Sequence, residues 1–153
     1  MKIYLGADHR GFELKRKVFA YLEKRGYDVV DCGAKSYNKD DDYPIFVQAA
    51  CLKLLGDQDS EDSRAILMCG MGQGVAMAAN RFEGIRAAVV RDREEIIQSR
   101  KDNDANVLAL PADILEKDDE LTAAIIDAFL TAPFAGVERY RRRNRMIDKL
   151  EDA

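Results

Sequence analysis

Apolar residues along this chain follow two alternating patterns. Short continuous apolar runs bounded by turn residues predict buried strands, and runs in which apolar residues recur every three or four positions predict helices with one buried face. The predicted strands are Lys2–Gly6, Tyr27–Cys32, Arg64–Cys69, Ile85–Val90 and Asn106–Leu110. The predicted helices are Gly11–Arg25, Pro44–Leu55, Gly74–Phe82, Asp92–Lys101, Glu120–Leu130 and Val137–Glu151. The polar segments Ala34–Asp42 and Gly56–Ser63 are predicted to be loops.

The strands are apolar along most of their length, which indicates a sheet that is covered on both faces. Strands that alternate with helices favour parallel pairing. We therefore expect one domain over residues 1–153, an α/β three-layer sandwich with a Rossmann-like five-stranded parallel sheet and helices on both faces. Ligands of such sheets bind beyond the carboxyl ends of the strands, so residues that directly follow a strand are the first candidates for a site.

Composition narrows the function classes. The net charge of −4 and the sequence pI of about 5.1 do not favour a nucleic-acid or anionic-membrane partner. No apolar run approaches the roughly 20 residues of a membrane span, and the N-terminus has no signal-peptide pattern. Cys32, Cys51 and Cys69 are odd in number and lack metal-ligand spacing, which suits free thiols in a reducing cytoplasm. A single histidine, His9, excludes a histidine-rich metal site.

The segment after the third strand, Cys69–Gly74, carries the most informative pattern, with glycines at 70, 72 and 74 before a predicted helix. Such a loop can turn its backbone N–H groups inward, and the helix start adds its positive dipole end, so the segment could hold negative charge. A cysteine at that position is favoured as the thiolate. A base beside an anion site is the arrangement for enolate chemistry. The alternative is a tight strand–helix turn with a buried cysteine, because a short glycine-rich loop is a weak signal.

Three further residues lie near predicted strand ends or loops. Asp8 and His9 directly follow the first strand, where a carboxylate and an imidazole can bind hydroxyls and an anion. A helix-capping aspartate and a surface histidine are the alternative. Tyr43 ends the acidic loop, where its phenol lines a pocket or packs at a helix start.

The C-terminal segment is strongly basic within an acidic chain. Arg139 and Arg143 are four residues apart, so they share one helical face, and two guanidinium groups on one face suit a phosphate. The alternative is a solvated face, or ion pairs with Glu116–Glu120.

Several segments together resemble the family of ribose-5-phosphate isomerase B, whose relatives include the galactose-6-phosphate isomerase subunits. The segments that carry the resemblance are Gly6–Phe12, Asp42–Pro44, Cys69–Gly74, Ala78–Phe82, Gly84–Ala87 and Ser99–Val107. They cover nearly the whole chain in the family's order.

The resemblance implies an aldose–ketose isomerase that acts on a small phosphorylated sugar without a cofactor or a metal. By the same resemblance Cys69 is the base that moves a proton between C2 and C1 through a cis-enediolate. The residues expected to bind the substrate are Asp8, His9, Tyr43, Gly70, Met71, Gly72, Gly74, Asn103, Arg139 and Arg143. In relatives the C-terminal helix reaches a partner subunit, so we expect a homodimer or homotetramer with shared active sites.

Three positions depart from the family's pattern. The ring-opening histidine falls at Asp102, a frequent threonine at Met71, and a phosphate-contacting arginine at Asp113. In one hypothesis Asp102 replaces the histidine in a pentose-phosphate isomerase. In a second, the substrate is a tetrose 4-phosphate, which cannot close a furanose ring and needs no ring opening. In a third, the chain is a non-catalytic binding member, or one subunit of a hetero-oligomer that borrows the histidine.

Overall fold

Five parallel strands form one sheet in the computed structural model, which describes residues 1–58 and 62–150. The strands are β1 (Lys2–Ala7), β2 (Asp28–Asp31), β3 (Arg64–Cys69), β4 (Ala87–Val89) and β5 (Val107–Pro111). Their order across the sheet is β2-β1-β3-β5-β4. The strand order reverses between β1 and β3, and the carboxyl ends of both strands open at this switch point, where α/β sheets bind ligands.

Seven helices flank the sheet in the described part of the chain. They are α1 (Phe12–Lys24), α2 (Tyr43–Gly56), α3 (Gln73–Ala79), α4 (Arg93–Asn103), α5 (Ala112–Leu115), α6 (Asp119–Thr131) and α7 (Glu138–Ile147). A short 3₁₀ turn at His9–Gly11 precedes α1. None of these helices is long and apolar enough to cross a membrane.

Side chains of each strand alternate between two cores, as the two-residue period of a strand requires. In β3, Ile66 and Met68 face the core shared with α1, α4, α5 and α6. Ala65, Leu67 and Cys69 face the core shared with α2 and α3. The Cys69 side chain therefore lies in the layer of α2 and α3.

The predicted three-layer sandwich is confirmed, and β3 has the predicted bounds. The predicted C-terminal helix is too long, because α7 ends at Ile147. The 3₁₀ turn and α5 were not predicted, since elements of three and four residues are too short for a hydrophobic period. Residues 59–61 of the predicted Gly56–Ser63 loop, and the last residue of the predicted C-terminal helix, lie outside the described residues.

Candidate functional site at the carboxyl edge of the sheet

The thiol candidate occupies the end of a central strand. Cys69 is the last residue of β3, pairs in register with Pro111 of β5, and is 7% exposed. Proline has no N–H, so the ladder stops there and the chain beyond Cys69 leaves the sheet. The structure thus puts the thiol at the mouth of the carboxyl edge.

The glycine loop turns sharply over this strand end. Gly72 has φ +74°, a left-handed conformation that favours glycine. A Cβ at this position would lie 3.2 Å from the carbonyl carbon of Leu110, so the loop packs closely on the end of β5. The backbone N–H groups of Met71 and Gly72 have no acceptor within residues 1–58 and 62–150. The first N–H groups of α3, which begins at Gln73, are also free of intrahelical partners. The loop can therefore donate several backbone hydrogen bonds to an anion.

Tyr43 packs on the same loop. It is the first residue of α2, and a Cβ added to Gly74 would lie 2.8 Å from Tyr43 Cζ and 3.1 Å from its hydroxyl oxygen. The absence of a side chain at Gly74 makes room for the phenol. The phenol therefore packs on the glycine loop at the start of α2, which fits both alternatives given for Tyr43.

Asp8 and His9 directly follow the neighbouring strand β1, at the same edge of the sheet. Asp8 is buried, and its Oδ1 accepts hydrogen bonds of 3.0 Å from the N–H groups of both Arg10 and Gly11. The capping alternative for Asp8 is thus correct, while its position at the strand end also fits the sugar-binding hypothesis. The surface alternative for His9 is wrong, because this residue is only partly exposed and is held by the acidic loop.

Asp41 holds His9 through two contacts. His9 Nδ1 lies 2.7 Å from Asp41 Oδ1, and the His9 backbone N–H donates to the same oxygen at 3.0 Å. When Nδ1 carries the proton it donates to this carboxylate, which leaves Nε2 as the nitrogen open to a ligand. The side chain of Asp41 is only 8% exposed, and its Oδ2 is buried without a hydrogen-bond partner among the described residues. Sequence reasoning did not select Asp41, because one aspartate within an acidic loop has no distinguishing pattern.

The side chains of Asp8, His9 and Asp41 lie close enough together to bind a metal ion. One ligand atom from each of Asp8, His9 and Asp41 lies within 4.8 Å of the others. In this structure Asp8 Oδ1 accepts two backbone N–H groups, and the Nδ1 of His9 is engaged by Asp41. Hydrogen bonds within the protein thus already engage Asp8 Oδ1 and the Nδ1 of His9.

An ion pair crosses the glycine loop from the other side. The guanidinium of Arg10 donates to the carboxylate of Asp113 through Nη2. The backbone N–H of Asp113 donates to the carbonyl oxygen of Gly70 at 3.0 Å. A Cβ at Gly70 would overlap the Arg10 guanidinium, so that group lies directly on the first glycine of the loop. Sequence reasoning noted Asp113 only as a departure and did not select Arg10.

Asp102 and Asn103 do not join this cluster within one chain. Both lie at the C-terminal end of α4, which runs back to the amino edge of the sheet. The carbonyl oxygen of Asn103 accepts from Arg86 Nε at 2.9 Å, directly before β4 begins. The five residues of β5 separate the two edges by four steps, about 13 Å at roughly 3.3 Å per step. A site that combines Asp102 with Cys69 is therefore not formed by a single copy.

The arginines of α7 lie on the side of Asp102. The N–H of Ala135 donates to the carbonyl oxygen of Lys101 at 3.0 Å, which brings the start of α7 to the end of α4. The pKa of Arg139 is raised by its hydrogen bond to the Tyr140 hydroxyl, and Asp102 adds a smaller attraction. Arg139 and Arg143 are both exposed, and no ion pair joins them to the acidic segment 116–120 in the part of the chain that the structure describes; Asp119 of that segment pairs with Lys17.

Asp102 keeps one polar atom unsatisfied. Its Oδ2 accepts from Gln98 at 2.6 Å, while its Oδ1 is buried without a partner among the described residues. An unpaired buried acceptor is costly, roughly 1–3 kcal/mol, so the end of α4 carries a polar group that this single copy does not satisfy.

The other two cysteines lie away from the glycine loop, Cys51 buried in the core and Cys32 half-buried against it. Burial raises the pKa of the Cys51 thiol to about 12 and also raises the pKa of Cys32. Neither thiol is suited to accept a proton as a base near neutral pH. Cys69 is the one cysteine that the structure brings to the glycine loop.

Comparison with known proteins agrees with this geometry. A family model described as Ribose/Galactose Isomerase matches residues 3–147. The chain is 39% identical over 150 residues to ribose-5-phosphate isomerase B of Escherichia coli K12, covering 98% of this chain and 96% of that protein. It is 38% identical over 151 residues to the Mycolicibacterium paratuberculosis enzyme of the same name, covering 99% and 92%.

Solved structures agree as well. A ribose 5-phosphate isomerase from Thermotoga maritima superposes with a TM-score of 0.89 at 40% identity, covering 97% of both chains. Ribose-5-phosphate isomerase B from Mycoplasma genitalium, solved with bound ribulose-5-phosphate, superposes with a TM-score of 0.90 at 34% identity and covers 99% of this chain and 96% of that chain. The chain belongs to the Ribose/Galactose Isomerase family.

Proposed function

We propose that this chain is an aldose–ketose isomerase that interconverts ribose 5-phosphate and ribulose 5-phosphate. The observation that carries the proposal is the position of Cys69, a thiol at the mouth of the carboxyl edge beneath a loop of free backbone N–H groups. The names of the chain's relatives support the substrate class, and one of them was solved with bound ribulose-5-phosphate.

In the proposed mechanism the Cys69 thiolate takes the proton from C2 of the open-chain aldose. The electron pair of the C–H bond forms the C1–C2 double bond, and the C1 carbonyl oxygen takes negative charge to give a cis-enediolate. The thiol then returns the proton to C1 while the C2 hydroxyl proton moves to O1, so atoms and charge balance. The N–H groups of Met71 and Gly72 stabilise the charged oxygen, which is where most of the acceleration of such a reaction originates.

The remaining residues hold the sugar. Asp8 and His9 bind hydroxyls near the end of β1, and Tyr43 closes the wall beside Gly74. These contacts fix the substrate with C2 near the thiol. Orientation of this kind lowers the barrier because translational and rotational entropy is lost on binding and not in the reaction step.

Two copies of the chain complete the site in this proposal. Asp102, Asn103 and Arg139 lie at the amino edge of the sheet, whereas Cys69 lies at the carboxyl edge. These groups can contact one substrate only when a second copy brings its amino edge to the first copy's carboxyl edge. We therefore propose a homodimer or homotetramer in which α7 of one copy supplies Arg139 and Arg143 to the phosphate bound by its partner.

Asp102 opens the furanose ring in this scheme, because it occupies the position at which the family's pattern has its ring-opening histidine. The same position supports a second candidate function. Residue 102 carries no imidazole, and the single histidine of the chain is engaged by Asp41. A tetrose 4-phosphate would need no ring opening, so an isomerase of that substrate is the alternative.

An aldose–ketose assay of the purified chain with ribose 5-phosphate and with a tetrose 4-phosphate tests both candidates. Cys69→Ala is expected to lower kcat at least about a hundredfold, the usual contribution of a positioned general base. Cys32→Ala is the matched control, because this half-buried thiol lies two strands away at the end of β2 and has no role in the mechanism.

Turnover of the pentose that depends on Cys69 and not on Cys32 supports the first candidate. Turnover of the tetrose alone supports the second. Wild-type turnover that survives Cys69→Ala overturns the assignment of the base, and a wild-type protein inactive on both substrates overturns the proposed function.

A further inference from the structure

The ion pair between Arg10 and Asp113 has no part in the mechanism above, although it lies on the glycine loop. We propose that Arg10 is a phosphate-binding residue of this chain and that Asp113 is a positioning residue that holds its guanidinium there. The inference rests on the proposed function, because it assigns one more contact to the phosphate of the same substrate.

The position of the guanidinium is unusually well defined for an exposed arginine. Its backbone belongs to the 3₁₀ turn that Asp8 caps, its side chain lies on Gly70, and its Nη2 donates to Asp113. Gly70 and Asp113 are themselves joined by a backbone hydrogen bond of 3.0 Å. The glycine leaves open the space that the guanidinium occupies, since any side chain there would displace it.

The pair contributes little to stability. The side chains of Arg10 and Asp113 are 51% and 42% exposed, and exposed ion pairs are weak because water and salt screen them. A structural tether between the 3₁₀ turn and α5 is therefore a poor explanation for this arrangement.

The free donors of Arg10 point to an anion. A guanidinium has five N–H donors, and Nη2 is the only guanidinium nitrogen of Arg10 with an acceptor among the residues the structure describes. The remaining donors can form the forked pair of hydrogen bonds that arginine makes to phosphate. Asp113 takes part of the guanidinium's hydrogen-bonding capacity and fixes the direction of the rest.

The side of the loop on which Arg10 lies fits the far end of the substrate. The Cys69 side chain faces the layer of α2 and α3, whereas Arg10 approaches Gly70 from the 3₁₀ turn before α1. A cation beside the thiol would contact the reacting carbons. A cation across the loop suits the phosphate, which is three carbons away from C2 in a pentose 5-phosphate.

A positive charge introduced at position 113 would lie close to the place that the Arg10 guanidinium occupies. The Asp113 carboxylate already meets the Arg10 guanidinium, so an arginine at position 113 would extend into the same space. Arginine at position 113 should therefore restore phosphate binding to a chain with alanine at position 10, which would not follow if the ion pair were purely structural.

Calorimetric titration with inorganic phosphate, alongside KM and kcat for ribose 5-phosphate, tests the inference. Arg10→Ala is expected to weaken phosphate binding and raise KM about tenfold or more, with a smaller change in kcat, as loss of a charge-assisted hydrogen bond predicts. Arg10→Lys should recover only part of the affinity, because an ammonium lacks the planar fork. Arg16→Ala is the matched control, since Arg16 is an exposed arginine of α1 that pairs with Glu13 at 3.2 Å.

The double variant Arg10→Ala with Asp113→Arg should restore phosphate affinity to within about threefold of the wild type. Unchanged affinity in Arg10→Ala, or an equal loss in Arg16→Ala, overturns the proposal. A folded double variant that stays as weak as Arg10→Ala overturns the claim that the two positions share one anion. These failures are distinct from failure of the proposed function, which is absence of wild-type turnover.

Discussion

Replacement of Gly11 by alanine should destabilise the protein far more than the addition of one methyl group usually does. Gly11 ends the 3₁₀ turn and lies against the backbone of β3. An added Cβ would lie 2.6 Å from the Met68 carbonyl oxygen, 2.7 Å from its carbonyl carbon and 2.8 Å from its Cβ. Ordinary contact begins near 3.4 Å, so the turn or the strand would have to shift by about 0.8 Å.

The strand cannot provide that shift at low cost, because β3 is paired on both sides, with β1 and β5. Overpacking of a dense interior costs about 1–3 kcal/mol, and contact with a fixed backbone belongs at the upper end. Alanine can adopt the φ of −92° found at Gly11. It also lowers the conformational entropy of the unfolded chain, which offsets about 0.4–1 kcal/mol of the loss. We expect a net loss of about 2 kcal/mol, or roughly 4–8 °C in Tm for a chain of this size.

Urea unfolding at one fixed protein concentration measures this loss. Gly56→Ala is the matched control, because nothing lies within 4 Å of a Cβ at the end of α2 and its φ is not in the left-handed range. That substitution should be neutral or stabilising. Equal unfolding midpoints for Gly11→Ala and wild type, or equal shifts in both variants, would refute the packing argument.

Three further predictions concern Gly70, Cys51 and Tyr4. Gly70→Ala should displace the Arg10 guanidinium, so calorimetry should detect weaker phosphate binding with less loss of stability than in the overpacked variant above. Burial raises the pKa of the Cys51 thiol from 9.0 to about 12, so about a thousandfold less of it is thiolate than in an ordinary cysteine. Iodoacetamide at pH 8 should therefore label Cys69 in the folded protein and Cys51 only after unfolding. Peptide mass spectrometry identifies the labelled cysteines. Burial, followed by a hydrogen bond to a carboxylate, raises the pKa of Tyr4 from 10.0 to about 12, so the stability this residue contributes is complete below pH 10 and is lost as the pH rises through 12. Tyr4→Phe should therefore lose less stability than the wild type between pH 10 and 12 in urea titrations, and equal losses would contradict the assignment.

The sequence was sufficient for the main elements of the fold because hydrophobic period is a long-range signal. The run Arg64–Cys69 is apolar after its first residue, and its strand has the predicted bounds. The C-terminal helix was predicted too long because its charged residues have high helix propensity, whereas only packing decides where a surface helix stops. The order of the strands across the sheet was not predicted, since it depends on how helices pack and not on any local pattern.

Residues of the candidate site could be predicted from the sequence when they lie at the end of a strand or directly after it. Asp8 and His9 could be selected because they follow β1, and Cys69 because it ends β3 before the glycine loop. The structure puts all three at the carboxyl edge. Asp41 and Arg10 could not, because each acts through a contact between segments that are distant in sequence, 32 residues for Asp41 with His9 and 103 for Arg10 with Asp113. Such pairs have no signature within a window of the chain.

The position of Asp102 follows from a rule that the sequence already contained. A helix that connects two parallel strands runs back from the carboxyl edge to the amino edge, so its last turn lies where the next strand begins. Asp102 and Asn103 precede β5 and therefore face away from their own Cys69. In the proposed function the thiol and the ring-opening carboxylate meet only when two copies associate. Association is then a requirement for opening a furanose ring, whereas proton transfer within an already open sugar needs the thiol and the glycine loop of a single copy.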